Sequence, residues 1–220
     1  MTIYRLQAGS YDIPFKSRRI TGIYDYLKRV IDVFLALFGL IISAPMWVII
    51  SILIKLESGG PIFFHKICYS KKGRTFRQWK FRSMVHNAEK DSGPILASQK
   101  DNRITRVGWF LRKTAMDELP QLINILAGDM SFVGPRPQRV VLVDSDYADR
   151  IPHYHSRHIV RPGLTGLAQV YGRYNTPPKN KLKYDLLYVK KYNLFLDLKL
   201  ILMSFLITFR AKWQERGKKR

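Results

Sequence analysis

The chain contains a single cysteine, Cys68, which excludes an internal disulfide framework and any multi-cysteine metal site. Carboxylates are scarce too, 16 against 38 lysines and arginines, for a formal charge of +22. Small soluble domains usually stay within single digits of neutrality, so this excess requires a polyanionic neighbour. Nucleic acid, an anionic membrane face and a phosphate-rich substrate are the three candidates. Internal repeats and low-complexity blocks are absent, and 46% of the residues are apolar. That composition excludes disorder and supplies one core.

From Val33 to Ile54 no residue carries a charge. As a helix this stretch is roughly 33 Å long, about one hydrocarbon thickness. It begins too far from Met1 and is too long for the apolar region of a cleaved signal peptide. Pro45 lies near its middle, lacks an N–H, and its ring meets the carbonyl of Ile41. Basic residues flank both ends, with Lys28 and Arg29 before and Lys55 and Lys66 after, which assigns both ends to the cytoplasm. The pattern predicts a re-entrant helix hinged at Ser43, Ala44 and Pro45, with the Ser43 hydroxyl serving freed backbone. A kinked single span is the alternative.

The remainder predicts an α+β fold, mostly helical, with amphipathic interfacial helices around a cytoplasmic globular domain. Gly59-Gly60-Pro61 marks a turn into PIFFHKICYS, read as a strand. Lys71-Lys72-Gly73 then turns the chain into a second strand, RTFRQWKFRSM, giving a small β-hairpin. Asn87 to Asp101 is polar and reads as a loop or lid. RVGWFLRKTAMDELPQLINILAGDM is read as helical in its second half, and SFVGPRP as irregular. Val140 to His158 is read as helical up to Pro152, and RPGLTGLAQVYGR as loop and strand. The stretch from Leu194 to Phe209, with Asp197 and Lys199 on a sparse charged face, fits a helix lying in the interface, with an ordinary core helix as the equal alternative. The boundaries are a basic N-terminal segment 1–29, the membrane helix 30–55, the cytoplasmic domain 56–213 and a basic tail 214–220.

RKTAMDELPQL carries the most information. Pro120 suits the first turn of a helix, so Asp117 is read as its N-cap, and Glu118 follows it. A helix N-terminus favours an ionised carboxylate and offers N–H groups to phosphate. Arg112 lies close enough to fork onto phosphate oxygens. Pro135 and Pro137 fix the backbone around Arg136, which suits a phosphate clamp. Lys80 and Arg82 alternate on one strand face, and Arg161, Arg173 and three glycines (Gly163, Gly166 and Gly172) suit close approach to a ligand. His153, His155 and His158 form H-x-H-x-x-H, which reads as a surface or interfacial segment in preference to a metal site. Nucleic acid is set aside as a partner, because the basic residues surround a membrane segment and no nucleic-acid signature is present.

In order and spacing, Lys80-Phe81-Arg82-Ser83-Met84, Arg112-x4-Asp117-Glu118-Leu119-Pro120-Gln121-Leu122, Gly128 to Pro137 and Arg161-Pro162-Gly163-Leu164-Thr165-Gly166 resemble the bacterial sugar transferases. These are the monotopic phosphoglycosyl transferases that act on undecaprenyl phosphate. The resemblance runs from about Tyr26 to Phe205, and the chain looks like the minimal form of the family.

The resemblance implies transfer of a sugar-1-phosphate from a UDP-sugar to undecaprenyl phosphate with Mg²⁺, releasing UMP, at the cytoplasmic face of a bacterial inner membrane. This reaction begins the assembly of an exopolysaccharide, capsule or lipopolysaccharide glycan. By the same resemblance Asp117 is the nucleophile, and Glu118 assists with Mg²⁺ or protons, so both are metal candidates. Lys80, Arg112 and Arg136 become phosphate-binding positions, and Arg82 joins them as a candidate from the strand face it shares with Lys80. Pro135, Pro137, Arg161, Gly163, Thr165, Gly166, Gln169 and Arg173 become nucleotide- or sugar-binding positions. Two departures stand out, Ala44-Pro45 where the family has Ser-Pro and Tyr171-Gly172-Arg173 where many members have Asn-Gly-Arg. Anionic lipid is the expected membrane partner, and assembly as a homodimer stays open. The alternative function is a non-catalytic membrane-anchored scaffold that binds anionic lipid or nucleic acid.

Overall fold

The structure, a computed structural model, describes residues 22–90, 93, 101–172 and 176–209. Its first element is a helix, α1 (Gly22–Glu57), which runs without interruption through Pro45. The expected break at Ser43-Ala44-Pro45 is therefore not a break in the helix. Both halves of α1 are held from the side, which keeps the helix whole despite the proline. Asp32, Ala36, Ser43, Ile50 and Ile54 form its buried seam, at the four- and seven-residue spacings of one helical face. Ser43 is occupied locally, since its hydroxyl donates to the Leu40 carbonyl and accepts from the Trp47 indole at 3.1 Å.

The hairpin forms as the sequence predicts. Strand β1 (Phe63–Tyr69) pairs antiparallel with β2 (Thr75–Phe81), around a turn in which Lys72 and Gly73 take positive φ. Phe63 and Phe81 stack at 5.3 Å, and Trp47 of α1 packs edge-on against Phe81 at 5.1 Å. After the 87–101 segment, most of which lies outside the described residues, come α2 (Arg106–Lys113) and α3 (Gln121–Ala127). The first of these is a helix where the sequence reading had none. Thr105 starts it by accepting from the Gly108 amide at 2.9 Å, an N-cap signal present in the sequence.

A second small sheet was also not foreseen. Strands β3 (Ser131–Val133) and β4 (Gly163–Thr165) pair in parallel, each too short to show alternation. Between them the chain forms α4 (Val140–Leu142), a π-turn and α5 (Ala148–Arg150), followed by a 3-10 turn over Tyr154–Ile159. Helices α6 (Leu167–Tyr171), α7 (Pro178–Lys191) and α8 (Leu194–Phe209) complete the body. Asp197 is not on a solvated face of α8 as expected. It is buried, and accepts from Tyr24 and Tyr188 at 2.7 Å and from Lys28 at 2.6 Å, which ties α8 to α1.

Three arginines close helix C-terminal ends, where carbonyls lack intrahelical partners. The Arg29 guanidinium donates to the Ile125 and Leu126 carbonyls at the end of α3, and Arg161 donates to the nearby Gly128 carbonyl at 3.0 Å. Arg82 donates to the carbonyls of Ser58 and Gly59 and to the Ser58 hydroxyl, just beyond α1. Arg82 is buried in this role, so its three contacts join the end of the hairpin to the end of α1. Arg82→Met should therefore lower unfolding stability by roughly 2–4 kcal/mol, measured by denaturant titration in detergent. Unchanged stability would show that these contacts do not hold α1.

The body touches α1 near both of its ends. At the first, Lys71 of the hairpin turn meets Asp25, Lys28 meets Asp197, and Asp32 accepts from Ser131 and the Phe132 amide. At the other, Glu57 accepts from the Arg106 and Val107 amides at the start of α2. Opposite this seam α1 presents Phe34, Phe38, Ile41, Ile42 and Val48, with Ile41 73% exposed. If α1 crossed a bilayer, the charged pairs near one end and the α2 contact at the other would lie on opposite sides of it. We therefore expect Ile23→Cys and Arg74→Cys, in a Cys68→Ser background, to label from the same side in sealed vesicles. Labelling from opposite sides would establish a span.

Candidate active site

Hairpin and helix are locked together before any catalytic group is placed. The Asn124 side chain of α3 donates to the Arg77 carbonyl at 2.8 Å and accepts from the Trp79 amide at 3.0 Å. Beside it, buried Gln78 donates to Gln121 at 2.8 Å. These bonds fix the register of β2 against α3 and so the position of Lys80, one residue from the end of β2. Lys80 Nζ stands 3.2 Å from Asp117 Oδ2 and 2.6 Å from Glu118 Oε1.

Asp117 is not a helix N-cap. It lies within a 3-10 turn, Met116–Glu118, and Pro120 occupies the cap position of α3 with no side-chain hydrogen bond. The turn begins at Ala115, whose φ of 58° is left-handed, a conformation costing roughly 1–2 kcal/mol for a residue with a Cβ. This reversal after α2 brings both carboxylates onto one ammonium, although their positions adjoin in sequence.

Both acids are buried, and their surroundings separate them. For Glu118, burial pushes the carboxyl up, but Arg136 and Lys80 outweigh it and hold the group well below the usual range. The Arg136 guanidinium pairs with Glu118 Oε1 and lies 3.5 Å from Oε2. For Asp117, burial and the neighbouring Glu118 charge raise the carboxyl, against the pull of Lys80 and Arg112. Glu118 is the firmly ionised member of the pair, and Asp117 the more easily protonated one. Oδ1 of Asp117 accepts no hydrogen bond from the described residues, leaving it available to an electrophile or a cation.

Arg136 is positioned by a pair of residues that the sequence reading did not single out. Buried Arg157 donates to the Arg136 carbonyl at 2.7 Å and to the Tyr154 hydroxyl at 2.6 Å, and pairs with buried Asp185 of α7 at 2.9 Å. Burial pushes Asp185 up to about 6, even with Arg157 and Lys181 opposing it.

A cleft of about 1370 Å³ opens over these groups, ample for a nucleotide-sized ligand. Among the described residues, ten lysines and arginines line it against four carboxylates. Lys80, Arg112, Asp117, Glu118, Arg136, Pro137 and Gln169 all border it. Nη1 of Arg112 is buried there without a partner among the described residues. Arg82 also reaches the wall, with its guanidinium spent on Ser58 and Gly59.

Other candidates point elsewhere. Gly134, Gly163 and Gly166 serve backbone packing between β3 and β4. A Cβ on Gly163 would lie 2.1 Å from the Gly134 nitrogen, and one on Gly166 would lie 2.2 Å from the Gly134 oxygen. Their lack of a side chain admits neighbouring backbone, not ligand. Pro135 accepts from the Gly163 amide at 2.9 Å within the same contact. Thr165 bonds Ser204 of α8, and Arg161 faces Gly128. Arg173 lies outside the described residues. His155 and His158 pack with Tyr69, at 6.0 and 5.1 Å between rings, and burial pulls both imidazoles down.

Among the described residues no three His, Cys, Asp or Glu side chains are placed to enclose a metal. Mg²⁺ rarely needs such a cage, because it is commonly held by one or two carboxylates together with substrate phosphates and water. Asp117, with its open oxygen, and Glu118 fit a site of that kind.

The family model for bacterial sugar transferases matches residues 23–211. The chain is 42% identical over 182 residues to UDP-N-acetylgalactosamine-undecaprenyl-phosphate N-acetylgalactosaminephosphotransferase of Aeromonas hydrophila, covering 81% of this chain and 43% of the relative. It is 40% identical over 197 residues to UDP-glucose:undecaprenyl-phosphate glucose-1-phosphate transferase of Klebsiella pneumoniae, covering 87% of this chain and 42% of the relative. A putative undecaprenyl-phosphate N-acetylgalactosaminyl 1-phosphate transferase of Bacillus subtilis is 46% identical over 151 residues, with 69% of this chain and 81% of the relative covered. The chain thus spans less than half the length of the first two relatives. With a match over nearly its whole length to the family's model, and with the acid pair, its lysine and its clamped arginine gathered in one cleft, the chain belongs to the bacterial sugar transferase family.

Proposed function

We propose that the protein transfers a sugar-1-phosphate from a UDP-sugar to undecaprenyl phosphate, through a covalent intermediate on Asp117. The observation that carries this reading is the buried Asp117–Glu118 pair bridged by Lys80, beside Arg136, in a cleft dominated by cations. Donor and acceptor are both anionic phosphates, so direct attack of one on the other meets repulsion. A carboxylate nucleophile divides the transfer into two steps within one phosphate site.

In the first step an oxygen of Asp117 bonds to the sugar-bearing phosphorus. The bond from that phosphorus to the bridging oxygen breaks, and UMP departs with the oxygen and its electron pair. In the second step an oxygen of the lipid phosphate bonds to the same phosphorus. The Asp117–phosphorus bond breaks, returning a carboxylate and a lipid diphosphate-linked sugar. Lys80 and Arg136 neutralise Glu118 in the resting site, and with Arg112 they balance charge on the transferring phosphoryl group. Mg²⁺, held by Asp117 or Glu118 with the diphosphate, would supply further neutralisation of the phosphate oxygens. Helix α1 meets the membrane from one side through its exposed apolar face, and anionic lipid attracts the cationic body at the cytoplasmic face. Contact of the body with both ends of α1 supports that arrangement.

Given UDP-sugars without acceptor, the protein should release about one UMP per active site and retain the sugar phosphate. Acid quench and peptide mapping should place the adduct on Asp117. Asp117→Asn should abolish burst and adduct, while Glu118→Gln should slow turnover yet still form adduct. An adduct on Glu118 would reverse the two roles, and transfer by Asp117→Asn would end the covalent mechanism. A screen across UDP-sugars would also name the donor.

Arg136→Ala should lower turnover by about 100-fold or more, since a charge-assisted contact to a transferring phosphoryl group is worth on the order of 3 kcal/mol. Lysine should restore part of that rate, because it lacks the planar fork. Full rescue by lysine would show that charge alone suffices at this position.

A further inference from the structure

Lys66 lies on β1 directly opposite Gln78, while Lys80 lies opposite Phe64. Alternation therefore puts Lys66 and Lys80 on one face of the hairpin as diagonal neighbours, with backbones on the order of 7–8 Å apart. Both border the cleft, together with Arg136 and Arg139. Their circumstances differ. Lys80 holds Asp117 and Glu118, Arg136 holds Glu118, Arg139 pairs with Glu89 at 2.6 Å, and Asp185 is taken by Arg157. The Lys66 ammonium makes no ion pair or side-chain hydrogen bond with the described residues.

Lys66 is thus a cation set among cations, and each of the cleft's carboxylates among the described residues already meets another cation. Such a group costs stability while the cleft is empty and is relieved when an anion arrives. Burial, joined by Lys80, Arg136 and Arg139, accordingly pulls its ammonium down to about 8, against the opposing influence of the Cys68 thiol.

We propose that Lys66 seats the phosphate opposite Asp117 across the reacting phosphorus, which is the nucleotide's phosphate in the first step and the lipid's in the second. This assignment rests on the two-step reading of the site. In-line displacement puts the leaving group on the face away from the nucleophile. The acceptor must then attack from that same face to expel Asp117. One cation beyond Lys80 along the hairpin can serve both phosphates, because each is a monoester group of the same chemistry.

The test uses the full chain in detergent, as wild type, Lys66→Gln, Lys66→Met and Lys66→Arg. Calorimetry with UMP and with uridine separates phosphate recognition from base recognition and needs no turnover. Both neutral variants should bind UMP at least tenfold more weakly and bind uridine as wild type does, while Lys66→Arg stays within a few-fold of wild type. In the second arm, adduct formed on each variant is discharged with a short polyprenyl phosphate. Both neutral variants should again require at least tenfold more acceptor. UMP affinity equal to wild type in both neutral variants overturns the proposal. Weakened UMP binding with normal discharge overturns the shared seat and confines Lys66 to the nucleotide. Wild-type protein that binds UMP through Lys66 yet forms no adduct would refute the covalent reading while leaving the phosphate seat standing.

Discussion

Two carboxylates on neighbouring residues, both buried, cannot both stay ionised without cations in contact with them. The placement of Lys80 between Asp117 and Glu118 is the constraint on which the rest of the site depends. It requires the end of β2 to meet the turn before α3 at a fixed distance. Asn124 and Gln121 supply that registration through bonds to β2 at Arg77, Gln78 and Trp79. It also requires a second cation, because one ammonium cannot neutralise two acids. Arg136 provides it from a loop stiffened by two prolines and held at its carbonyl by Arg157. The left-handed Ala115 completes the arrangement by turning the chain sharply enough to aim both acids the same way.

Two populations stand out within the large positive charge. Arg29, Arg82 and Arg161 are consumed internally, donating to carbonyls at or just beyond helix ends. Lys66, Lys80, Arg112, Arg136 and Arg139 face the cleft instead. Spacing does not separate the two groups. Arg82 lies two residues after Lys80, just past the end of β2, and only the identity of the nearest element decides which binds a carboxylate and which a carbonyl.

That distinction marks what the sequence could and could not reveal. The hairpin was legible because alternation and the Lys71-Lys72-Gly73 turn are local properties of the chain. Asp117, Glu118, Lys80 and Arg136 were legible as members of familiar motifs in a familiar order. The 3-10 turn at Asp117 was not, because Pro120 is as compatible with the cap position as with the first turn that follows. The glycines of RPGLTG were read as room for a ligand. A missing Cβ admits any neighbour, and here it admits the Gly134 backbone. The roles of Arg157 and Asp185 required knowing that α7 passes behind the Arg136 loop, which no local pattern records. Pro45 predicted a break from local stereochemistry, while packing of the body along both halves of α1 keeps the helix continuous.

The way α1 is held also bears on the proposed reaction, in which one cleft serves a soluble nucleotide and a lipid-borne phosphate. A domain joined to a membrane helix at one end alone could tilt, and the depth of its site would vary with every tilt. Here the hairpin lies along α1, its turn bonded near Asp25 and its far end bonded through Arg82 beyond Glu57. Lys80 sits at that far end, and the cleft wall includes Lys55 of α1 itself. Exposed Phe63 and Phe64 on β1, with Trp109 and Phe110 on α2, add apolar surface on elements packed near that end. A phosphate entering the cleft meets Arg112, Lys80 and Arg136, while an attached hydrocarbon chain has apolar surface to follow outward. Fixing α1 at both ends thus sets the height of the acid pair relative to the apolar face of α1, and the carboxylate nucleophile proposed for Asp117, which meets two partners in turn, requires that height to stay constant between them.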